Sequence, residues 1–318
     1  MPENNKITII TAFFNIGREH IKGFERDNKK YLEYFSFWAG LQNELIVYTS
    51  KEFEKDIMNE RKKHHLEHKT KIIIKNLEDF EPATLTLMRK TFKEFNQSKN
   101  RANAENIECV SANYCFLMYM KVLCACDVIS KGLGAENLLW LDFGFNHGKD
   151  FFTDKTQFNF TLQNSDKMAK DKMNFFKLKD KEDENIARLY FTMQPFIIGG
   201  LLFGSKNAWL KFHGHYQKGI ECFASMGIMD DDQLFLLWCA RNYPKHYALH
   251  RCYAWFDSLC AFMPENTAKN LSINSKTAAL YKLIKKEFKE NLKAKNYFRT
   301  LKNLAQYFYY KFIYKKTF

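Results

Sequence analysis

Residues 7–14 form a β-branched and aromatic run, Ile7-Thr-Ile-Ile-Thr-Ala-Phe-Phe14, that ends at Asn15-Ile-Gly17-Arg18. Such a run closed by a glycine turn reads as a buried strand. Between 27 and 39, Tyr31, Tyr34, Phe35 and Trp38 recur at helical spacing, and 44–49 is a second apolar strand closed by Ser50-Lys51. Residues 71–75 give a third strand, 85–95 an amphipathic stretch and 113–129 a mostly apolar helix. A fourth strand, 137–141, stops at Asp142-Phe-Gly144-Phe145. Further on, 195–204 reads as a strand with paired glycines, 207–223 as a helix, 230–241 as a helix opened by Asp230-Asp-Asp232-Gln233, and 247–250 as a short strand.

Strands alternating with helices predict an α/β fold with a mostly parallel, doubly wound sheet covered on both faces. In such sheets ligands sit beyond the carboxyl ends of the strands, which directs attention to the turns after the first and fourth. Residues 146–187 are rich in Lys and Asp, and read as an inserted hairpin or lid carrying a short strand at 173–178. The expected organisation is an α/β domain over 1–268 followed by a helical basic tail over 269–318.

Charge sharpens that division. The chain of 318 residues carries 49 Lys and Arg against 36 Asp and Glu, a net +13. From Lys269 onward there are twelve Lys and one Arg against Glu287 and Glu290, so the tail holds +11 and the first 268 residues only +2. A neutral body with a basic tail points to a tail that docks on something anionic, and argues against nucleic acid along the whole surface. An AT-rich genome would inflate Lys, but would not segregate it. The longest apolar run, 191–204, is interrupted at Gln194 and Pro195 and falls short of a membrane span. The polar start of the chain carries no secretory pattern. The eight cysteines sit in apolar contexts and read as reduced thiols; Cys124-Ala-Cys126 lacks the second pair that a zinc site needs. The expected location is the cytoplasm.

Candidate chemistry lies at the strand ends. Asp142 directly after a hydrophobic strand is placed to hold a divalent cation such as Mg²⁺ or Mn²⁺ on a diphosphate, or else to cap the turn at Gly144. His250, at another strand end, is a further candidate ligand, against the more ordinary role of a structural histidine. His213 and His215, two apart on a helix, do not share a face. In the Asp230-Asp231-Asp232 run one acid suffices for a helix cap, with Asp230 and Gln233 at capping-box spacing, which leaves a carboxylate for general-base work. Arg18 has the planar fork that pairs with phosphate, and Lys121 on its apolar helix reads most simply as snorkelling. Fingerprints of dinucleotide oxidoreductases, P-loop NTPases and α/β-hydrolases are missing from the sequence.

In the tail, Tyr297, Leu301, Leu304, Phe308 and Phe312 fall at helical spacing, with Lys295, Lys302, Lys311, Lys315 and Lys316 nearby. This is the pattern of an interfacial helix on an anionic membrane, where each basic residue contributes about 1 kcal/mol. The same face would also serve packing on the body or a homodimer.

Thr11-Ala-Phe-Phe-Asn-Ile-Gly-Arg18, Tyr31-Leu-Glu-Tyr-Phe35 with Trp38-Ala39, and Asn43-Glu-Leu-Ile-Val-Tyr-Thr49 resemble the opening blocks of the bacterial HtrL/YibB family, associated with surface polysaccharide and lipopolysaccharide loci. The resemblance continues through Trp140-Leu-Asp-Phe-Gly144, Ile198-Gly-Gly200 and Asp231-Asp-Gln233, over roughly residues 6–257. The order of elements is also similar to that of the GT-A nucleotide-sugar glycosyltransferases, whose strand-end Asp-x-Asp holds the metal; here only the first acid is present. These resemblances imply a GT-A-like fold and transfer of a sugar from a nucleotide-sugar donor to a cell-surface glycan or lipid-linked acceptor. They imply donor contacts at Thr11, Asn15, Arg18, Asp142 and Gly144, acceptor-side Gly199 and Gly200, and a base or orienting acid at Asp231 or Asp232. A divalent metal, Mn²⁺ or Mg²⁺, would sit on Asp142 and His250. The competing expectation is a non-catalytic carbohydrate-binding or scaffold protein of a polysaccharide assembly complex.

Overall fold

The computed structural model describes residues 5–20, 25, 27–147, 158–179, 185–252, 255–268 and 297–316, together with 284, 288, 289 and 292. Most of the anticipated lid, residues 148–157 and 180–184, lies outside the described residues, as does much of the tail.

Seven strands form one sheet: β1 (Ile7–Phe13), β2 (Leu45–Thr49), β3 (Thr70–Ile74), β4 (Asn137–Leu141), β5 (Met173–Lys177), β6 (Ile197–Ser205) and β7 (Tyr247–Arg251). Their order across the sheet is β3-β2-β1-β4-β6-β5-β7. β1 pairs in parallel with β2 and β4, β2 with β3, and β5 with β7, whereas β6 runs antiparallel to both β4 and β5. The sheet is therefore mostly parallel and mixed at β6. The segment 173–178, anticipated as part of a lid, supplies an interior strand instead. Buried on its whole length as Met-Asn-Phe-Phe-Lys, β5 has the two-faced burial of a central strand.

The described helices are α1 (Asn28–Trp38), α2 (Glu54–Lys62), α3 (Pro82–Glu94), α4 (Ile107–Val110), α5 (Ala112–Ser130), α6 (Ile186–Thr192), α7 (Lys206–Ser225), α8 (Asp232–Asn242) and α9 (Tyr297–Lys316). Polar side chains start several of them: Asp27 accepts from the Lys30 amide at α1, Ser111 from Tyr114 at α5 and Ser205 from Ala208 at α7. Each satisfies an amide that the first helical turn leaves without a partner.

Alternation along β1 and β4 divides the core between the two faces. Ile10, Leu138 and Trp140 point into a layer shared with α3, α5, α7 and α8. Ile9, Leu139 and Leu141 point into a second layer with α1, α2 and the 3-10 turns Trp255–Phe262. Phe158, Leu162 and Met168 belong to that second layer, so this part of the anticipated insert is core. Asn43 fixes it there, donating to the Leu162 carbonyl at 2.9 Å and accepting from its amide at 2.7 Å. α5 is long and apolar enough to cross a membrane by composition, but ten of its residues are buried, nine of them in the first layer and the tenth, Lys121, beneath the cleft.

Candidate active site

The carboxyl ends of β1 and β4, the glycines of β6 and the start of α8 surround a cleft of about 270 Å³. Its floor is an ion-paired constellation. Asp142, the residue after β4, donates its amide to the Gly200 carbonyl at 2.9 Å, which joins the turn to β6. Its Oδ1 accepts from the Trp140 indole Nε1 at 2.7 Å and lies 3.1 Å from Lys121 Nζ. Lys121 Nζ also donates to Asp232 Oδ2 at 2.5 Å and to the Gly199 carbonyl at 2.9 Å. All three donor positions of the ammonium are thus used, as burial demands. Burial opposes its charge, but Asp142 and Asp232 outweigh that and hold the Lys121 pKa above the ordinary lysine value. The Lys121 side chain is 3% exposed and that of Asp142 is 32% exposed, so the acid meets the cleft and the lysine stands behind it.

The three consecutive aspartates have separate positions. Asp230 forms a buried pair with Arg101, Oδ1 to Nη2 at 2.8 Å, and the guanidinium lies over the Tyr190 ring. Asp231 is the helix cap, accepting from the Gln233 amide at 3.0 Å. The sequence had placed the cap one residue earlier. Asp232 turns to Lys121. Asp231 and Asp232 line the cleft. Burial, then the neighbouring charges of Asp230 and Asp232, push the Asp231 carboxyl well above the usual carboxylate range.

Arg18 lines the opposite wall, its Nη1 donating to the Tyr31 hydroxyl at 2.6 Å and its guanidinium 5.7 Å from the Tyr114 ring centroid. Asn15 shapes the preceding turn: its Oδ1 accepts from the Gly17 amide at 2.8 Å, and Gly17 takes the left-handed φ of 71° that glycine favours. Asn15, Gly144, Gly199 and Gly200 also line the cleft. A Cβ at Gly144 would meet the Tyr31 ring at 3.1 Å. Two expected residues are elsewhere. Thr11 is fully buried in β1, does not line the cleft, and its hydroxyl has no hydrogen-bond partner among the described residues. His250 on β7 also lies outside the lining, with Nε2 2.8 Å from Asn174 Oδ1. Its pKa is lowered by burial.

The structure therefore does not bring His250 to Asp142 as a metal pair. Gly144 stands where a second acid would complete an Asp-x-Asp, and among the described residues no three His, Cys, Asp or Glu side chains converge as metal ligands. The described residues do not fit a metal centre of their own; the cation that Asp142 and Asp232 share is Lys121.

Lys121, Trp140, Tyr31, Tyr114, His147 and Trp255 are among the cleft residues that the sequence pattern did not assign to the site. Only Lys121 carried a signal, a charge in the middle of an apolar helix. His213 and His215 on α7 go to different neighbours, the first to Glu81 at 2.8 Å and the second to a stack on Tyr243.

The chain belongs to the HtrL/YibB family, whose profile, described as "Bacterial protein of unknown function (HtrL_YibB)", matches residues 5–264. It is 26% identical over 271 residues to Protein HtrL of Escherichia coli (strain K12), covering 80% of this chain and 92% of that protein. Among solved structures, apo mouse xyloside xylosyltransferase 1 aligns over 81% of this chain and 94% of its own with a TM-score of 0.40 and 8% identity.

Proposed function

We propose that the chain is a glycosyltransferase that moves a sugar from a nucleotide-sugar donor to a cell-surface glycan or lipid-linked acceptor. The observation that carries this reading is the Asp142–Lys121–Asp232 constellation at the carboxyl ends of β1 and β4, open to a cleft that also contains Arg18 and Asp231. An α/β sheet presents ligands at that edge.

In this reading Arg18, oriented by Tyr31, takes the diphosphate through its fork. Asp142 orients the donor sugar, and Lys121 holds Asp142 and Asp232 at fixed separation, a preorganised arrangement that need not rearrange during reaction. The anomeric carbon–phosphate oxygen bond breaks with its electron pair leaving on the diphosphate, and the acceptor oxygen forms the new bond. Asp231, whose proton affinity is raised, takes the acceptor's proton. Asp232 is neutralised by Lys121 and serves as a positioning residue.

Thermal shifts of the full chain against UDP, GDP, CMP, CDP and dTDP, in EDTA and in Mn²⁺, test the donor site. Ligand at about 100 times its dissociation constant adds about 2.7 kcal/mol, a shift of several degrees. The expected result is stabilisation by one nucleotide in both media, weakened in Arg18→Gln. A folded protein that responds to none of them overturns the donor site and leaves a non-catalytic carbohydrate-binding module.

A further inference from the structure

The twenty residues of α9 contain five basic side chains and no acid. Sequence periodicity leaves two partners for the apolar face of such a helix, the body of the protein or something outside it. The described side chains favour the second. Among the described side chains of α9, Thr300 and Asn303 are buried, at 8% and 6% exposure, whereas Leu301, Phe308 and Tyr309 are 65%, 47% and 62% exposed. Ala305 is exposed on the same side. At about 100° per residue, Leu301, Ala305, Phe308 and Tyr309 occupy one outward arc of about 100°. Among the described side chains this arc leaves apolar residues in solvent beside Lys302, while Thr300 and Asn303 are covered.

This exposure is concentrated. Of the eleven large apolar residues exposed among those described, Leu292, Leu301, Phe308 and Tyr309 lie within eighteen consecutive positions, and the other seven are scattered over the rest of the chain. Cations accompany the apolar residues along the sequence. Lys289, Arg299 and Lys302 are exposed, and Lys311, Lys315 and Lys316 follow on a chain segment that holds +11. A second copy of this chain would bring two such charges together and repel. An anionic surface with an apolar layer beneath complements both features.

We propose that α9 is a membrane-docking element that lies in the headgroup region of an anionic bilayer, with Leu301, Phe308 and Tyr309 inserted at the acyl boundary and the basic residues on lipid phosphates. The cleft and its chemistry do not enter into this, so the docking element stands or falls independently of sugar transfer.

Flotation of the full chain with phosphatidylcholine vesicles, with and without phosphatidylglycerol, tests it. The wild-type chain should float only with the anionic vesicles and be released by salt. Arg299→Gln and Lys302→Gln should each lower vesicle affinity about fivefold. The triple variant Leu301→Ser, Phe308→Ser, Tyr309→Ser should lose binding while its circular dichroism and nucleotide response are kept. Equal flotation with neutral vesicles, anionic binding that survives the triple variant, or no flotation of the wild type overturns the proposal. So does a wild-type dimer that the triple variant dissociates without any vesicle binding, which would assign the face to a second copy.

Discussion

Asp232 lies directly against the backbone of Gly199: a Cβ added there would come within 2.1 Å of Oδ2. The carboxylate and the strand share the Lys121 ammonium, which bonds Asp232 and the Gly199 carbonyl together. The glycine is thus required by the acid, and both are required by the lysine. Gly199→Ala should therefore displace Asp232 from Lys121 and cost about 1–3 kcal/mol of stability, as overpacking does. Chemical denaturation measures the loss; an unchanged midpoint would mean that the strand shifts without disturbing the pair.

Removing the ammonium leaves two acids without their shared partner. Lys121→Met should destabilise by about 3–5 kcal/mol, the cost of a broken buried pair. Lys121→Met with Asp232→Leu should recover part of it, because an apolar pair of similar volume carries no unpaired charge. A double-mutant cycle in urea gives the coupling, and strict additivity would sever the two residues energetically.

Asp142→Asn preserves volume and an oxygen for the Trp140 indole but removes the charge facing the cleft. Turnover of the nucleotide sugar should fall by about 100-fold or more, with little change in unfolding midpoint. Trp140→Phe removes the donor that aims Asp142 and should lower turnover less. Activity retained in Asp142→Asn would take this residue out of the transfer step.

Chelation should leave nucleotide binding intact, since Lys121 already supplies the cation between Asp142 and Asp232. Titration calorimetry of the responding nucleotide in EDTA and in Mn²⁺ should give dissociation constants within about threefold, well under the 1.4 kcal/mol that a tenfold change represents. Binding that requires Mn²⁺ would make Asp142 a metal ligand in the loaded state.

His215 gives the fold a pH dependence away from the cleft. Burial, with His246, Lys218 and Lys211 nearby, lowers its pKa to about 4. The ring is stacked on Tyr243 at 3.7 Å between centroids. The unfolded chain binds a proton near pH 6.5 that the folded chain refuses until near 4, so this contribution is complete above the unfolded value and declines as pH falls below it. Melting midpoints measured from pH 7 to 5 should decline less steeply in His215→Phe than in the wild type. Parallel slopes would assign the decline to other groups.

The elements whose apolar residues repeat with a clear period were legible in the sequence. β1, β2, β4, α1, α5 and α7 lie within a residue or two of their expected positions. The anticipated lid was misplaced at β5 because Lys and Asp on either side dilute its apolar run, and because strand order is set by tertiary pairing across many residues. α2 escaped notice since its buried face is only Ile57 and Arg61. Arg61 supports the fold through hydrogen bonds to the Ala39, Leu41 and Asn43 carbonyls, a role no periodicity reports. Asp142, Arg18 and Asp231 line the cleft and each stands at a strand or helix end, whereas Gly199 was marked by the glycine pair within β6. His250 was also at a strand end, but β7 lies at the sheet edge beyond β5, away from β4. Linear sequence does not report that lateral distance.

The pair formed by Lys121 and Asp232 spans 111 residues of chain. β1 to β4 and α5 can be assembled from the first 141 residues, yet in that state a lysine faces an apolar layer with no Asp232 to receive it. Ribosomal synthesis at about 5–20 residues per second delays that partner by several seconds or more. During this interval α5 must stay loosely seated or keep its lysine in water. The ion-paired floor of the cleft therefore closes only when α8 arrives, and a nascent chain stalled before it would present the apolar flank of α5 to chaperones.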